Sequence, residues 1–131
     1  MKVLALDYGS ARTGVAVSDP TGTIARPVEV VDLAGSEPGL ARIVELVREH
    51  GVEKVVVGLP LTMRGERGEQ AAETEGFVIL LRQALDVPVE SFDERFTTDL
   101  AEQSGDSVEV DARAAAHLLS SYLTWSSRAP R

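Results

Sequence analysis

Three acidic positions carry the chemistry that this sequence could perform: Asp7, the pair Asp93-Glu94, and Asp111. Asp7 closes the apolar run KVLALD, Asp93-Glu94 follows the run VPVESF, and Asp111 opens the helical stretch DARAAAHLLSSYL. Carboxylate oxygens drawn from separate elements suit hard divalent cations such as Mg²⁺ or Mn²⁺. A pair of such ions can stabilise both the attacking and the leaving oxygen of a phosphodiester. Metal-dependent nuclease chemistry is therefore open to this chain. Each acid also has a plainer reading. Asp111 is a good helix N-cap, Asp7 could begin a turn by accepting loop amide protons, and Asp93-Glu94 could pair with Arg95 and water on a surface loop. Convergence of the three at one place would decide between the readings.

Other reactive side chains offer less. There is no cysteine, which removes disulfides, thiolate ligands and a cysteine nucleophile. His50 falls near a helix C-terminus, where it suits the helix dipole, and His117 lies among alanines and leucines on the last helix. Ser10, Thr13, Thr97 and Thr98 have no histidine or lysine placed by sequence to activate them, so capping or phosphate contact suits them better. The spacing D-x-G-x-x-x-x-G over residues 7–14 fits a tight hairpin after a strand.

The elements that must hold these residues follow from pattern. KVLALD and Gly14–Ser18 are short apolar runs joined by a hairpin-length loop, Gly9–Thr13, which predicts an antiparallel pair. Thr23–Val31 is a third strand, with Pro27 suited to a sheet edge. A helix is expected over Ser36–His50, with Leu40, Ile43, Val44 and Val47 on its apolar face and Gly51 as its stop. KVVVG at 54–58 is a buried strand. Glu69–Leu85 is a helix with Ala72, Phe77, Leu80, Leu81 and Ala84 inside, and residues 87–92 form the last strand. Thr97–Gln103 could be a short helix, and Asp111 to about Trp125 is a clear one that buries Ala114, Ala115, Leu118, Tyr122 and Leu123. Right-handed crossovers then give an α/β fold: one mixed five-stranded sheet in the order 3-2-1-4-5, its second strand antiparallel, with helices on both faces. Asp7 ends the central strand, beside the crevice where such sheets bind ligands.

Composition sets limits. The 131 residues suffice for one domain, 1–131, with a real core, and 44% hydrophobic with 26% charged residues fits a soluble globular chain. No apolar run approaches a membrane span and the N-terminus lacks a signal-peptide layout, so a cytoplasmic protein without membrane contact is expected. A net charge of −8 repels nucleic acid at long range and counts against nonspecific binding.

DYGSARTGVAVSD, GLPLTMRGERGEQA, FDERFTT and DARAAAHLLSSYL, in this order, resemble the four signature blocks of the YqgF family, also called RuvX. Its bacterial members are described as pre-16S rRNA nucleases and Holliday junction resolvases. The blocks span Asp7 to Leu123, nearly the whole chain. The resemblance implies an RNase H-like fold and a nuclease acting in ribosome biogenesis, at the 5′ end of the 16S rRNA precursor. It implies Asp7, Glu94 and Asp111 as catalytic acids that hold two Mg²⁺ or Mn²⁺ ions, the choice of Glu94 over Asp93 coming from the family pattern alone. Arg12, Arg95, Arg64 and Arg67 become the expected phosphate contacts, and nucleic acid, as rRNA precursor or branched DNA, the expected partner. One departure stands out. Residues 99–110, DLAEQSGDSVEV, carry four acids and no base where the family usually has a longer, basic stretch. Three alternatives keep their place: junction resolution, which needs two coordinated cuts and hence a homodimer; nucleotide binding, since the D-x-G hairpin also resembles the first phosphate loop of actin-like ATPases and sugar kinases, although 131 residues supply only one of the two lobes these need; and a noncatalytic adaptor with an acidic surface.

Overall fold

The computed structural model describes residues 1–60, 68–93 and 107–128. Its elements run β1 (Val3–Asp7), β2 (Arg12–Ser18), β3 (Ala25–Asp32), α1 (Glu37–Glu49), β4 (Lys54–Leu59), α2 (Glu69–Ala84), β5 (Val89–Asp93) and α3 (Ser107–Arg128). One five-stranded sheet takes the order β3-β2-β1-β4-β5. β2 is antiparallel to both β1 and β3, and β4 is parallel to both β1 and β5. This is the mixed sheet that the pattern of runs predicts. Pro27 sits on the edge strand β3 at a bulge, where pairing with β2 passes from Val15–Glu29 to Ala16–Pro27. Its missing N–H costs the sheet little there.

Strand alternation sorts the core into two layers. Leu4, Leu6, Val15, Val17, Val55 and Val57 face α1 and α2, and meet Ile43, Leu46, Phe77 and Leu81. Val3, Ala5, Ala16, Val56 and Phe92 face α3, and meet Ala115, Leu118, Leu119 and Tyr122. The central strand is thus sealed on both sides, with no residue from Val3 to Leu6 more than 3% exposed.

Three expectations need correction. α2 buries Ala71, Thr74, Phe77, Val78 and Leu81, whereas Ala72, Leu80 and Ala84 lie exposed. The stripe is rotated because Thr74, counted as polar in sequence, spends its hydroxyl on the Gln70 carbonyl at 2.8 Å and so can enter the core. α1 is rotated less: it buries Gly39 and Leu46 beside Ile43 and Val47, and leaves Leu40 and Val44 half-buried. Third, α3 begins at Ser107, so Asp111 lies inside the helix and cannot be its N-cap. The segment SVEV is tolerated in a helix and extends it back by a turn. Ala114 is only half-buried, and Leu119 takes the inward place beside Ala115 and Leu118. The helix expected over Thr97–Gln103 lies outside the described residues.

Candidate active site

Asp7 pairs with Gly14 at the last register position of β1 and is half-buried, next to the fully buried Leu6. Alternation places it on the face of Val3 and Ala5, which α3 covers. The hairpin that follows is shaped by two local restraints. A Cβ on Gly9 would stand 2.4 Å from the Arg12 carbonyl oxygen, so only glycine fits at that close approach. The Thr13 hydroxyl, fully buried, donates to the Gly9 carbonyl and accepts from the Gly9 N–H, each at 3.3 Å. Thr13 is therefore committed to the loop, in line with the nonnucleophilic reading. Arg12 and Ser10 stand exposed on the same hairpin.

A cleft of ≈ 200 Å³ opens beside Asp7, lined by Asp7, Tyr8, Gly9, Ser10, Pro60, Gln70, Glu73 and Thr74. Tyr8 stacks on Phe77 with ring centroids 4.4 Å apart and planes 23° from parallel, which fixes one wall against α2. Burial, and then the nearby Glu73 carboxylate, push the Tyr8 hydroxyl above its ordinary pKa. Tyr8, Gln70 and Glu73 are cleft residues that sequence reasoning did not single out. The signal was present in helical spacing, since positions 70, 73, 74 and 77 share one face.

Asp93 ends β5 opposite Leu59. Phe92 and Glu90 face α3, the one through contact with Tyr122 and the other through its hydrogen bond to that residue. Alternation therefore turns Asp93 to the other face from Asp7, and β4 separates the two by about 10 Å. Glu94, Arg95, Arg64 and Arg67 lie outside the described residues. Asp111 is in α3, one turn before the fully buried Ala115.

A polar group fixes α3 on the sheet. Tyr122 donates to Glu90 at 2.6 Å and accepts from Lys54 at 3.0 Å, and these residues stand at the starts of β5 and β4. The C-terminal half of α3 is thus anchored where Lys54 pairs with Val3. Residue 111 precedes Tyr122 by eleven positions, about 16 Å of helix. Position 111 lies towards the end of α3 remote from that anchor. Among the described residues no three histidine, cysteine, aspartate or glutamate side chains are grouped as a metal site.

Residues 1–125 match the family model described as RuvX: Holliday junction resolvase. The chain belongs to the RuvX family. Two curated relatives named "Putative pre-16S rRNA nuclease" illustrate the range. That of Chloroflexus aurantiacus is 46% identical over 130 residues, covering 92% of this chain and 85% of the relative. That of Syntrophomonas wolfei is 37% identical, covering 94% of each. Among solved structures, Thermus thermophilus RuvC in complex with Holliday junction substrate aligns over 100% of this chain and 99% of that one, with a TM-score of 0.59 and 22% identity. The RuvX chain shares with it the RNase H-like fold.

Proposed function

We propose that this RuvX chain is a divalent-metal-dependent nuclease that hydrolyses phosphodiester bonds in the 5′ maturation of precursor 16S rRNA. The observation that carries the reading is the half-buried Asp7 at the end of the central strand, beside an open cleft. The names of the curated relatives support the RNA substrate. Asp7, Glu94 and Asp111 are the residues that would hold the cations. An all-carboxylate set in a chain without cysteine fits Mg²⁺ or Mn²⁺ and excludes thiolate-seeking metals. Asp93 is the weaker candidate because it faces away from Asp7. Two bound ions would stabilise the charge that develops on the attacking and leaving oxygens.

The remaining steps fall to side chains of the hairpin. Arg12 offers a planar guanidinium for bidentate contact with the phosphate next to the cleaved bond. Gly9 and Thr13 hold that hairpin closed, so Arg12 keeps a fixed relation to Asp7. Tyr8, braced on Phe77, bounds the cleft and limits water on that side. Arg64, Arg67 and Arg95 would extend the phosphate contacts and offset the net charge of −8.

A cleavage panel with precursor 16S rRNA fragments, linear duplex DNA and four-way DNA junctions, run with Mg²⁺, Mn²⁺ or chelator, tests the reading. Metal-dependent cleavage of the RNA that disappears in Asp7→Asn is expected. Cleavage that persists in Asp7→Asn would remove Asp7 from the mechanism. The family description favours junction resolution as the second reading; paired cuts in the junction by a dimer, with the RNA left intact, would establish it.

A further inference from the structure

The turn between β3 and α1 turns the usual order of burial around. Ala34 is fully buried, while Leu33 beside it is 58% exposed. Leu33 is also the one non-glycine residue with a positive φ, +46°, among the described residues. A branched side chain adopts that conformation only at a cost, so the surroundings must impose it. They do so from three sides. The Leu33 N–H donates to the Ala11 carbonyl at 2.9 Å, which ties the turn to the β1–β2 hairpin. The Leu33 carbonyl accepts from the Ser36 N–H at 2.9 Å and from the Ser36 hydroxyl at 2.6 Å. Gly39, buried in the first turn of α1, lets that carbonyl approach so closely that a Cβ there would stand 2.2 Å from the oxygen.

The place of this residue matters as much as its strain. β3 runs parallel to β1, so Asp32 and Leu33 emerge at the same end of the sheet as Asp7. Asp32 pairs with Arg12 in the register of β2 and β3, which puts Leu33 beside the arginine assigned to the phosphate and two strands from Asp7. Gly35 approaches the Tyr8 hydroxyl, its Cβ position lying 3.9 Å away, so the turn and the cleft share one rim. A flexible turn with glycine or asparagine at position 33 would connect β3 to α1 without strain. Instead the chain fixes the backbone of a large apolar residue whose side chain stands in water at the end of the sheet where Asp7 lies.

We propose that Leu33 is a nucleobase contact: an apolar wedge that packs against, and unstacks, a base near the phosphate held by Arg12. Apolar side chains used in this way displace neighbouring bases and distort the strand. The inference rests on the nuclease reading above. It predicts a separation that a merely structural residue would not give. Leu33→Asn, suited to a left-handed turn, should melt at or above the wild-type temperature and yet bind RNA roughly tenfold more weakly. The rise should appear in KM more than in kcat, and Leu33→Met should retain wild-type behaviour.

The experiment uses a precursor 16S rRNA fragment with 2-aminopurine placed in turn at the positions flanking the cut. Binding is followed in the Asp7→Asn background, and cleavage in the otherwise native chain. A fluorescence rise at one position that is lost in Leu33→Asn and kept in Leu33→Met supports the wedge. Equal fluorescence and equal KM in all three chains overturns it while leaving the nuclease reading intact. A loss of affinity that only parallels a loss of melting temperature in Leu33→Asn also overturns it. Absence of metal-dependent cleavage in the otherwise native chain overturns the nuclease reading instead.

Discussion

At the scale of single residues, backbone positions surround the chemistry as closely as charged ones do. Gly9→Ala would force a Cβ against the Arg12 carbonyl at 2.4 Å and so open the hairpin between Asp7 and Arg12. The expected result is a fall in kcat/KM of roughly 10²-fold with a small change in melting temperature, read by cleavage assays and thermal melts on the same preparation. Asp19 shows a different kind of restraint, far from the cleft. Its carboxylate accepts from the Thr23 and Ile24 N–H groups at 2.8 Å each and from the Thr21 hydroxyl. These bonds, that from Ile24 foremost, hold its pKa far below the ordinary aspartate value. Because the folded value is depressed, the stability it contributes is complete above about pH 4, the unfolded value, and is lost as pH falls towards the folded one. Thermal melts between pH 5 and pH 2 should therefore fall less steeply in Asp19→Ala than in the native chain. Asp7, Gly9 and the D-x-G-x-x-x-x-G spacing were legible because each is a local feature. The strain at Leu33 was not, since a φ of +46° in leucine is imposed by Ala11, Ser36 and Gly39 together.

At the scale of elements, the sheet was readable because its strands are short apolar runs and its crossovers have one allowed hand. Two kinds of boundary were not readable. The inward face of α2 turns on whether Thr74 can be buried, which depends on its bond to the Gln70 carbonyl. The start of α3 turns on SVEV, whose residues suit a helix only moderately and carry no strong stop signal. That difference changes the meaning of Asp111 from a cap to a residue one turn before the buried Ala115. The clamp that sets the path of α3 is the polar group Lys54, Tyr122 and Glu90, in which the Lys54 ammonium also lies 3.1 Å from Glu90. Tyr122→Phe removes the bridging hydroxyl but leaves Lys54 and Glu90 to pair. A loss of about 1 kcal/mol in stability is expected by denaturant titration, with the cleavage rate at 25 °C unchanged. A drop in rate without a drop in stability would mean that the clamp also sets the register of α3 at its far end.

At the scale of the whole molecule, nucleic acid must approach a chain with 21 acids and 13 bases. Arg12 of the hairpin, the proposed phosphate contacts Arg64, Arg67 and Arg95, and the proposed cations would supply local neutralisation, so substrate binding should depend on divalent metal as well as catalysis. The family blocks made the three acids legible as a set, and the proposed meeting of Asp7 with Asp111 requires α3 to run back across the sheet from its anchor at Tyr122. That geometry is the centre of the account, which proposes that Asp7 and Asp111 share a cation at the end of β1 and that Asp93, on the opposite face, does not. Mn²⁺ binding followed by electron paramagnetic resonance tests it without any substrate. Asp7→Asn and Asp111→Asn should each lose the tight site, while Asp93→Asn keeps it. Retention in Asp111→Asn, or loss in Asp93→Asn with the fold intact, would contradict the account.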